Sequence, residues 1–424
     1  MPLLATLLVA STALNVQPGL RSTPTTRLPA VRAVAVAAVS SEETLLGKVA
    51  VPAVDGLVSI KPERRELAKI GKMLRFGNGG TGVIVAERCG LYFAASLDGS
   101  TPAANEQVEL LPRNLTVATW DGDDASWGGL HDFLGRPEGA DVASAASSDS
   151  VDVFAQPVTA AQRRPIGSSL HTGVVAIDAL APIGRGQSMM LFGPDALPAG
   201  SGRTDLALRV IGAQHQLASG VRTVLVLAEP DAALREASVA RLKAAGLLEQ
   251  TKVLVAKTPI EGMIAASAAS SIAEACGAAD VLVVIDSLRP HLTLWRAICK
   301  SLMDAKVVVS PEEEGSQQRA YYSRLVERAA RRKEGGSVTL ILLQPSVSVL
   351  PTGGGGGGGG EGGGALERAT SRIYFGCQTQ ETGMFFKQQA DGIIGLQRSH
   401  TRSKVPPSLY QRHSLVHITL GPSL

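Results

Sequence analysis

Aromatic residues and net charge are both scarce in this chain. Aromatics make up 4% of the 424 residues, and the net charge at neutral pH is only +3. Proteins that bind single-stranded nucleic acid stack bases on aromatic side chains along a positively charged groove. The composition therefore argues against nucleic-acid binding and against direct attraction to a membrane surface. The hydrophobic content of 45% instead indicates a globular chain, long enough for two or three domains.

Cysteines are few and widely spaced. The four are Cys89, Cys276, Cys299 and Cys377, and no two of them form a C-x-x-C pair. This spacing predicts reduced, isolated thiols and argues against a disulfide scaffold or a zinc site. The sequence also lacks an apolar run long enough to span a bilayer.

The first forty residues contain no acidic side chain, and the first acidic residue of the chain is Glu42. An apolar stretch, Leu3–Leu14, is followed by arginines scattered among serine and threonine. Such a composition predicts a cleaved targeting segment over residues 1–40. We expect import into the chloroplast, with a mitochondrial presequence as the main alternative and a structural N-terminal helix as the third reading.

Short apolar runs between glycine-rich turns predict a small β-barrel over residues 41–115. The expected strands are Leu57–Ile60, Lys72–Phe76, Gly82–Ala86 and Leu91–Phe93. Residues 116–164 form the predicted connector, whose part from 140 to 163 is rich in Ala, Ser and Asp and is expected to be solvated.

Residues 165–352 alternate between buried strands and helices, as in a wound parallel α/β sheet. The expected strands are Ser188–Phe192, Val224–Ala228, Val253–Ala256, Val281–Ile285 and Val338–Leu343. The expected helices are Asp205–Leu217, Asp231–Ala245 and Pro290–Met303. Eleven glycines among residues 353–364 predict a flexible insertion. Residues 365–424 would then supply the remainder of the core and a short tail.

A glycine-rich loop follows the first core strand and departs from the usual phosphate-binding pattern. A working loop reads G-x-x-x-x-G-K-[ST]. Here eight residues separate Gly193 from Gly202, an arginine replaces the lysine, and two prolines in the loop lack an N–H donor. The candidate nucleotide-binding residues are Gly193, Gly200, Gly202, Arg203 and Thr204. They predict a reduced anion site, and the alternative is a degenerate loop that binds nothing.

Two acidic residues follow core strands. Asp286 ends the apolar run Val281–Ile285, the form of a Walker B carboxylate, and with Thr204 it is the candidate contact for Mg²⁺ bound with ATP or ADP. A simple capping aspartate is the alternative. Glu229 follows Val224–Ala228, and a solvent-exposed acid at a strand end is the favoured interpretation; only the family resemblance described next implies a catalytic base here, for which Glu229 is a weak candidate.

Three strings resemble the α subunit of rotary, F-type ATP synthases. Residues 172–187 resemble "TGIKAIDALVPIGRGQ", residues 281–288 resemble "ALIIYDDL", and residues 322–330 resemble the helix "HSRLLERAA". Weaker similarities are those of residues 132–139 to the turn "DALGNPIDG" and of residues 390–396 to a late core segment.

The resemblance implies a P-loop, RecA-like α/β core preceded by a small β-barrel. It also implies ATP or ADP with Mg²⁺, β-type and γ-type partner subunits, and a role in proton-driven ATP synthesis, with membrane contact only through the complex. Because the loop is altered, we expect no independent catalysis, and we expect the family's helical C-terminal domain to be absent. The alternatives are a scaffold or assembly factor that binds no nucleotide, and a Rho-type hexameric helicase-like motor.

Overall fold

A computed structural model describes most of the chain from residue 44 to residue 345, together with two short later segments. The described residues are 44–64, 68–120, 122, 127–137, 150–174, 178, 182–193, 203–217, 219–345, 392–395 and 402–403. The predictions for residues 1–40, for the loop containing Gly200 and Gly202, and for the glycine tract lie outside these ranges. Within them, no helix is long and apolar enough to cross a bilayer.

Six antiparallel strands close into the predicted barrel, in the order β1-β2-β5-β4-β3-β6. They are β1 Leu45–Val54, β2 Leu57–Pro62, β3 Lys72–Phe76, β4 Thr81–Arg88, β5 Leu91–Ser96 and β6 Gln107–Asn114. Closure leaves no unpaired strand edge. The sequence did not predict β1 and β6, which carry lysine, glutamate, arginine and proline among their apolar residues.

The turn between β4 and β5 contains only Cys89 and Gly90, both with positive φ, at 49° and 76°. Two consecutive positive φ values are typical of the two-residue turns whose twist suits a hairpin. Cys89 therefore occupies a left-handed position that asparagine or glycine usually fills.

The connector contains more ordered structure than expected. It includes β7 Thr116–Ala118, β8 Gly129–His131 and β9 Ser150–Asp152. Because β9 pairs with β7 and the following residue, Val153, is fully buried, the prediction of a solvated segment is wrong there. The predicted turn at Asp132 is present, since its Oδ1 accepts hydrogen bonds from the N–H groups of Leu134 and Arg136.

The core is the predicted parallel sheet, ordered β19-β18-β12-β17-β15-β13-β14-β8. Its remaining strands are β12 Ser188–Gly193, β13 Val221–Leu227, β14 Thr251–Val255, β15 Asp280–Ile285, β16 Ala330–Arg331, β17 Ser337–Pro345, β18 Gly392–Gly395 and β19 Arg402–Ser403. A small antiparallel pair, β10 Ser169–Leu170 and β11 Ile183–Gly184, precedes β12. Parallel pairing of β18 with β12 returns the chain to the core sheet after the glycine tract.

Within the described ranges, five α-helices connect these strands. They are α1 Arg203–Gln216, α2 Ala232–Ala244, α3 Pro259–Ala275, α4 Arg289–Asp304 and α5 Pro311–Val326. The sequence did not predict α3, whose alanine- and serine-rich surface is mostly buried and shows no polar stripe. The helix predicted to continue to Ala330 ends at Val326, because Ala330 pairs with β17 in the short strand β16.

One hydrophobic cluster joins barrel, helices and sheet. Phe93 of the barrel, Ile264 of α3 and Val283 of β15 are all fully buried members of it. Burying each such side chain contributes about 1.5 to 3 kcal/mol. The barrel therefore packs on the sheet through α3 and α4 and shares its core.

Candidate functional site

The candidate phosphate-binding segment begins at the carboxyl end of a central strand. β12 ends at Gly193, in register with Pro345 of β17, and α1 begins at Arg203. Thr204 is the second residue of α1 and is half-buried. Backbone N–H groups at a helix N-terminus attract phosphate. The structure therefore places Gly193 at the end of a strand and Arg203 and Thr204 at the start of the next helix, while residues 194–202 lie outside the described ranges.

Asp286 lies at the same edge of the sheet, directly after β15. It is 8% exposed, and its Oδ1 accepts a hydrogen bond of 2.6 Å from the Ala228 N–H. Its own N–H donates to the Val226 carbonyl at 3.1 Å. These bonds hold the carboxylate between the ends of β13 and β15. Because only β17 separates β15 from β12, Asp286 is about 10 Å across the sheet from the end of β12.

Glu229 is not the solvent-exposed acid that was predicted. It is 5% exposed, and its Oε1 lies 2.8 Å from Nη1 of Arg289, the first residue of α4. A buried carboxylate requires a partner, and this guanidinium provides it. The Arg289 side chain itself is 46% exposed, so the pair lies at the surface of the edge that carries Asp286.

The string most similar to the family lies at the opposite edge of the sheet. Gly186 donates its N–H to Thr339 Oγ1 at 2.9 Å, and Arg185 Nη1 lies 2.7 Å from Asp280 Oδ2. The φ of Gly186 is 94°, and a Cβ there would meet the Arg331 backbone nitrogen at 2.4 Å. These contacts join the amino ends of β12, β15 and β17, so this part of the string stabilises the sheet away from the candidate site.

The beginning of that string closes a short loop on itself. Thr172 is fully buried, and both its N–H and its Oγ1 donate to Oδ1 of Asp178, at 2.9 and 2.8 Å. Asp178 donates its N–H to the Val174 carbonyl at 3.0 Å. The Thr-to-Asp spacing therefore has a structural explanation that needs no ligand.

The string at residues 322–330 also has a structural role. Arg328 is 3% exposed and forms a bidentate pair with Glu274 of α3, at 2.5 and 2.7 Å, while Nη2 donates to Ser271 Oγ at 2.9 Å. Arg324 and Glu327, three residues apart in the same string, do not pair within the described part of the chain: Arg324 is exposed, and Glu327 is the C-cap of α5. The Arg328–Glu274 pair could not be predicted from the sequence, because its two residues are 54 positions apart in the chain.

Comparison with known families agrees with this architecture. Residues 173–347, which carry the sheet edge with Gly193, Glu229 and Asp286, match the ATP synthase alpha/beta family, nucleotide-binding domain. This segment is therefore similar to the nucleotide-binding domains of ATP synthases.

Three relatives are named as α subunits. The chain is 34% identical over 200 residues to "ATP synthase subunit alpha 1" of Psychromonas ingrahamii, covering 46% of this chain and 37% of the relative. It is 32% identical over 201 residues to "ATP synthase subunit alpha 2" of Albidiferax ferrireducens, covering 46% and 36%. It is 27% identical over 273 residues to "ATP synthase subunit alpha 1" of Dinoroseobacter shibae, covering 58% and 52%.

The similarity to ATP synthase α subunits confirms the resemblance drawn from the three strings. The chain spans between about a third and about half of the length of the curated relatives it matches.

Proposed function

We propose that this chain is an α-like ATP synthase subunit that binds a magnesium nucleotide and does not hydrolyse it by itself. The observation that carries this proposal is the arrangement at the carboxyl edge of the sheet. There Asp286 accepts a hydrogen bond from a backbone N–H, while Glu229 forms an ion pair with Arg289.

Nucleotide binding is supported by the oxygen donors at this edge. Mg²⁺ is commonly held by one or two protein groups together with substrate phosphates. The Asp286 carboxylate and the Thr204 hydroxyl fit that requirement, because both are oxygen donors at the edge where β12 meets α1. Arg203 would supply positive charge in place of the missing lysine, although its planar fork differs from a compact ammonium group. Mg²⁺ would neutralise phosphate charge when bound.

The absence of hydrolysis is supported by the state of Glu229. A carboxylate that activates water must be able to accept a proton from it. Here Oε1 accepts from Arg289 Nη1 at 2.8 Å, and the side chain is only 6% exposed. Releasing it from the guanidinium would leave a buried charge without its partner, at a cost of about 3 to 5 kcal/mol. The pair therefore holds Glu229 as a structural acceptor.

Assembly with other ATP synthase subunits is the remaining part of the proposal. The matched relatives are named as α subunits, and we propose β-type and γ-type subunits as partners of this chain. Co-expression with a β subunit, followed by native mass spectrometry, is expected to give a mixed oligomer. If native mass spectrometry detects only the separate chains at micromolar concentration, the result favours the alternative that this chain is a scaffold without β-type partners.

We propose in addition that residues 1–40 direct import into the chloroplast, on the evidence of their acid-free, arginine-containing composition. Imaging a fluorescent protein fused after residue 40, beside a mitochondrial marker, tests this proposal. Mitochondrial signal alone would support the alternative.

Equilibrium binding of magnesium-ATP is the decisive test of the site. Asp286→Asn keeps an oxygen acceptor for the Ala228 N–H but removes the charge, and we expect it to weaken binding by about tenfold or more. Asp304→Asn is the matched control, because Asp304 is an exposed carboxylate at the end of α4. Equal affinity for both variants, or no binding at millimolar nucleotide, would contradict the proposal and favour a scaffold that binds none.

Hydrolysis is tested separately. Purified wild-type chain is expected to release no phosphate above background, and Glu229→Gln is expected to leave that result unchanged. Phosphate release by the wild-type chain that is lost in Glu229→Gln would show that Glu229 is a catalytic base after all.

A further inference from the structure

Two of the cysteines take part in one hydrogen-bonded cluster at the joint between the barrel and the helices of the core. Cys89 lies in the β4–β5 turn, and Cys299 lies on α4. Both are partly exposed. Arg88 and Gln317 lie between them and connect them in a single hydrogen-bonded cluster.

Arg88 is the centre of this cluster. It is 4% exposed, its Nη1 donates to Cys299 Sγ at 3.1 Å, and its Nε donates to Gln317 Oε1 at 2.5 Å. Its guanidinium also lies 4.6 Å from the centre of the Trp295 ring. A guanidinium that donates to sulfur favours the thiolate over the thiol, and its buried position strengthens the effect.

Cys89 is in a different environment. Its Sγ lies 3.8 Å from Gln317 Nε2 and 3.9 Å from Glu313 Oε1, so a carboxylate faces this thiol. The cluster therefore places one sulfur beside a cation and a second sulfur beside an anion, with Gln317 contacting Cys89 and Arg88 at once.

A small cavity of about 80 Å³ lies next to the cluster, among β4, α4 and α5. Arg88, Trp295 and Gln317 line it. A molecule of water occupies about 30 Å³ in the liquid. The cavity can therefore admit a reagent of two or three heavy atoms beside Arg88 and Gln317, the residues that contact the two sulfurs.

We propose that Cys299 is a thiolate modification site that reacts with small hydroperoxides, with Arg88 as its positioning residue and Cys89 as the neighbouring second thiol. The Cys299 sulfur attacks one peroxide oxygen. An S–O bond forms, the O–O bond breaks, and the second oxygen leaves as hydroxide or alkoxide and takes up a proton from water. The sulfur is oxidised to a sulfenic acid and the peroxide is reduced.

The proposal includes a second step by the thiol of Cys89, whose sulfur contacts Gln317, the residue that also accepts from Arg88. Attack by Cys89 on the sulfenic sulfur would form an S–S bond, break the S–O bond and release water that carries the thiol proton. Sensor cysteines are commonly accessible thiolates placed near a resolving cysteine. Modification here would alter the contact of Arg88 with α4 and so weaken the joint between barrel and core.

The chain provides its own control in Cys276. Its Sγ donates to the Ile272 carbonyl at 3.2 Å, and burial raises the pKa of this thiol to about 11. The full-length protein is treated with limiting hydrogen peroxide and a dimedone trap, and each cysteine is quantified by peptide mass spectrometry. We expect Cys299 to be trapped, or cross-linked to Cys89, at least about tenfold faster than Cys276 is modified.

A second measurement isolates the role of the guanidinium. The rate of iodoacetamide alkylation is followed against pH for each cysteine, in wild type and in Arg88→Lys and Arg88→Gln. The rate at Cys299 should reach half of its maximum at least one pH unit below that at Cys276, and Arg88→Gln should raise this midpoint while Arg88→Lys preserves it.

The wild-type comparison decides the matter even if Arg88→Gln fails to fold. Equal or slower reaction of Cys299 compared with Cys276, or an alkylation midpoint that Arg88→Gln leaves unchanged in a folded protein, would overturn the proposal. Faster modification of Cys89 than of Cys299 would overturn the assignment of the nucleophile.

Discussion

Replacing Arg328 with methionine should destabilise the chain strongly. The side chain is 3% exposed, and both oxygens of Glu274 accept from its guanidinium, at 2.5 and 2.7 Å. Methionine fills similar space but leaves the Glu274 carboxylate, 17% exposed, without its partner. Removing one member of a buried pair costs about 3 to 5 kcal/mol, whereas replacing both members by apolar residues can be nearly neutral.

Chemical denaturation monitored by circular dichroism measures the effect. We expect Arg328→Met to lower the unfolding free energy by about 3 to 5 kcal/mol, and the double variant with Glu274→Met to recover about half of that loss or more. The matched control is Lys48→Met, because Lys48 and Glu63 form a surface pair at 3.9 Å in which each side chain is 51% exposed. Such a pair contributes about 1 kcal/mol or less.

A double-mutant cycle gives the result that would refute this reasoning. If Arg328→Met costs no more than Lys48→Met, or if the Arg328 and Glu274 losses simply add, then the pair does not connect α3 to the end of α5. The Arg328→Met variant also tests whether the family-like string at residues 322–330 contacts nucleotide or only stabilises the fold. A structural Arg328 predicts unchanged affinity for magnesium-ATP in the folded variant, whereas a ligand contact predicts a lower affinity.

Three further predictions concern pH, backbone conformation and the Glu229 pair. Burial lowers the pKa of both His131 and His291 from 6.5 to about 4. Between those pH values the unfolded chain binds more protons than the folded one, so stability should fall as pH decreases from about 6.5 to 4, by up to about 3 kcal/mol for each histidine. A flat unfolding free energy across this window would contradict the prediction, and His291→Gln should reduce the slope. Gly186→Ala should destabilise much more than Gly220→Ala: both glycines have positive φ, at 94° and 69°, but only at Gly186 would a Cβ meet backbone, at 2.4 Å. Thermal unfolding of the two variants checks this, and equal decreases in their unfolding temperatures would show that the positive φ alone sets the destabilisation. Arg289→Leu should destabilise by about 3 kcal/mol because it leaves Glu229 buried without its partner, and adding Glu229→Gln should recover part of that loss in the same assay.

The elements that the sequence predicted well share a strong local signal. The continuous apolar runs of β13, β15 and β17 are typical of strands buried on both faces, and the strands β3, β4 and β5 are bounded by glycine turns. The elements it missed lack such a signal. β1 and β6 mix charged residues and proline with apolar ones, and α3 has no amphipathic stripe because the core sheet, α4 and the β7–β9 pair all pack against it.

The residues of the candidate site also differ in whether the sequence could predict their positions. Gly193, Thr204 and Asp286 could be placed at one sheet edge from the sequence, because the carboxyl ends of parallel strands meet there. The state of Glu229 could not, since its partner Arg289 is 60 residues away and belongs to another helix. Large separation in sequence likewise hid the Arg328–Glu274 pair and the hydrogen bond from Arg88 to Cys299.

The sequence by itself determined the class of fold, the family and the position of the altered loop, because hydrophobic periodicity, turn glycines and motif strings are local properties of the chain. Only the tertiary structure decided which charges are neutralised, which thiols lie beside a cation, and which edge of the sheet the family strings support. Those properties depend on burial and on distances between residues far apart in the chain, and burial is what makes an ion pair or a buried guanidinium energetically important.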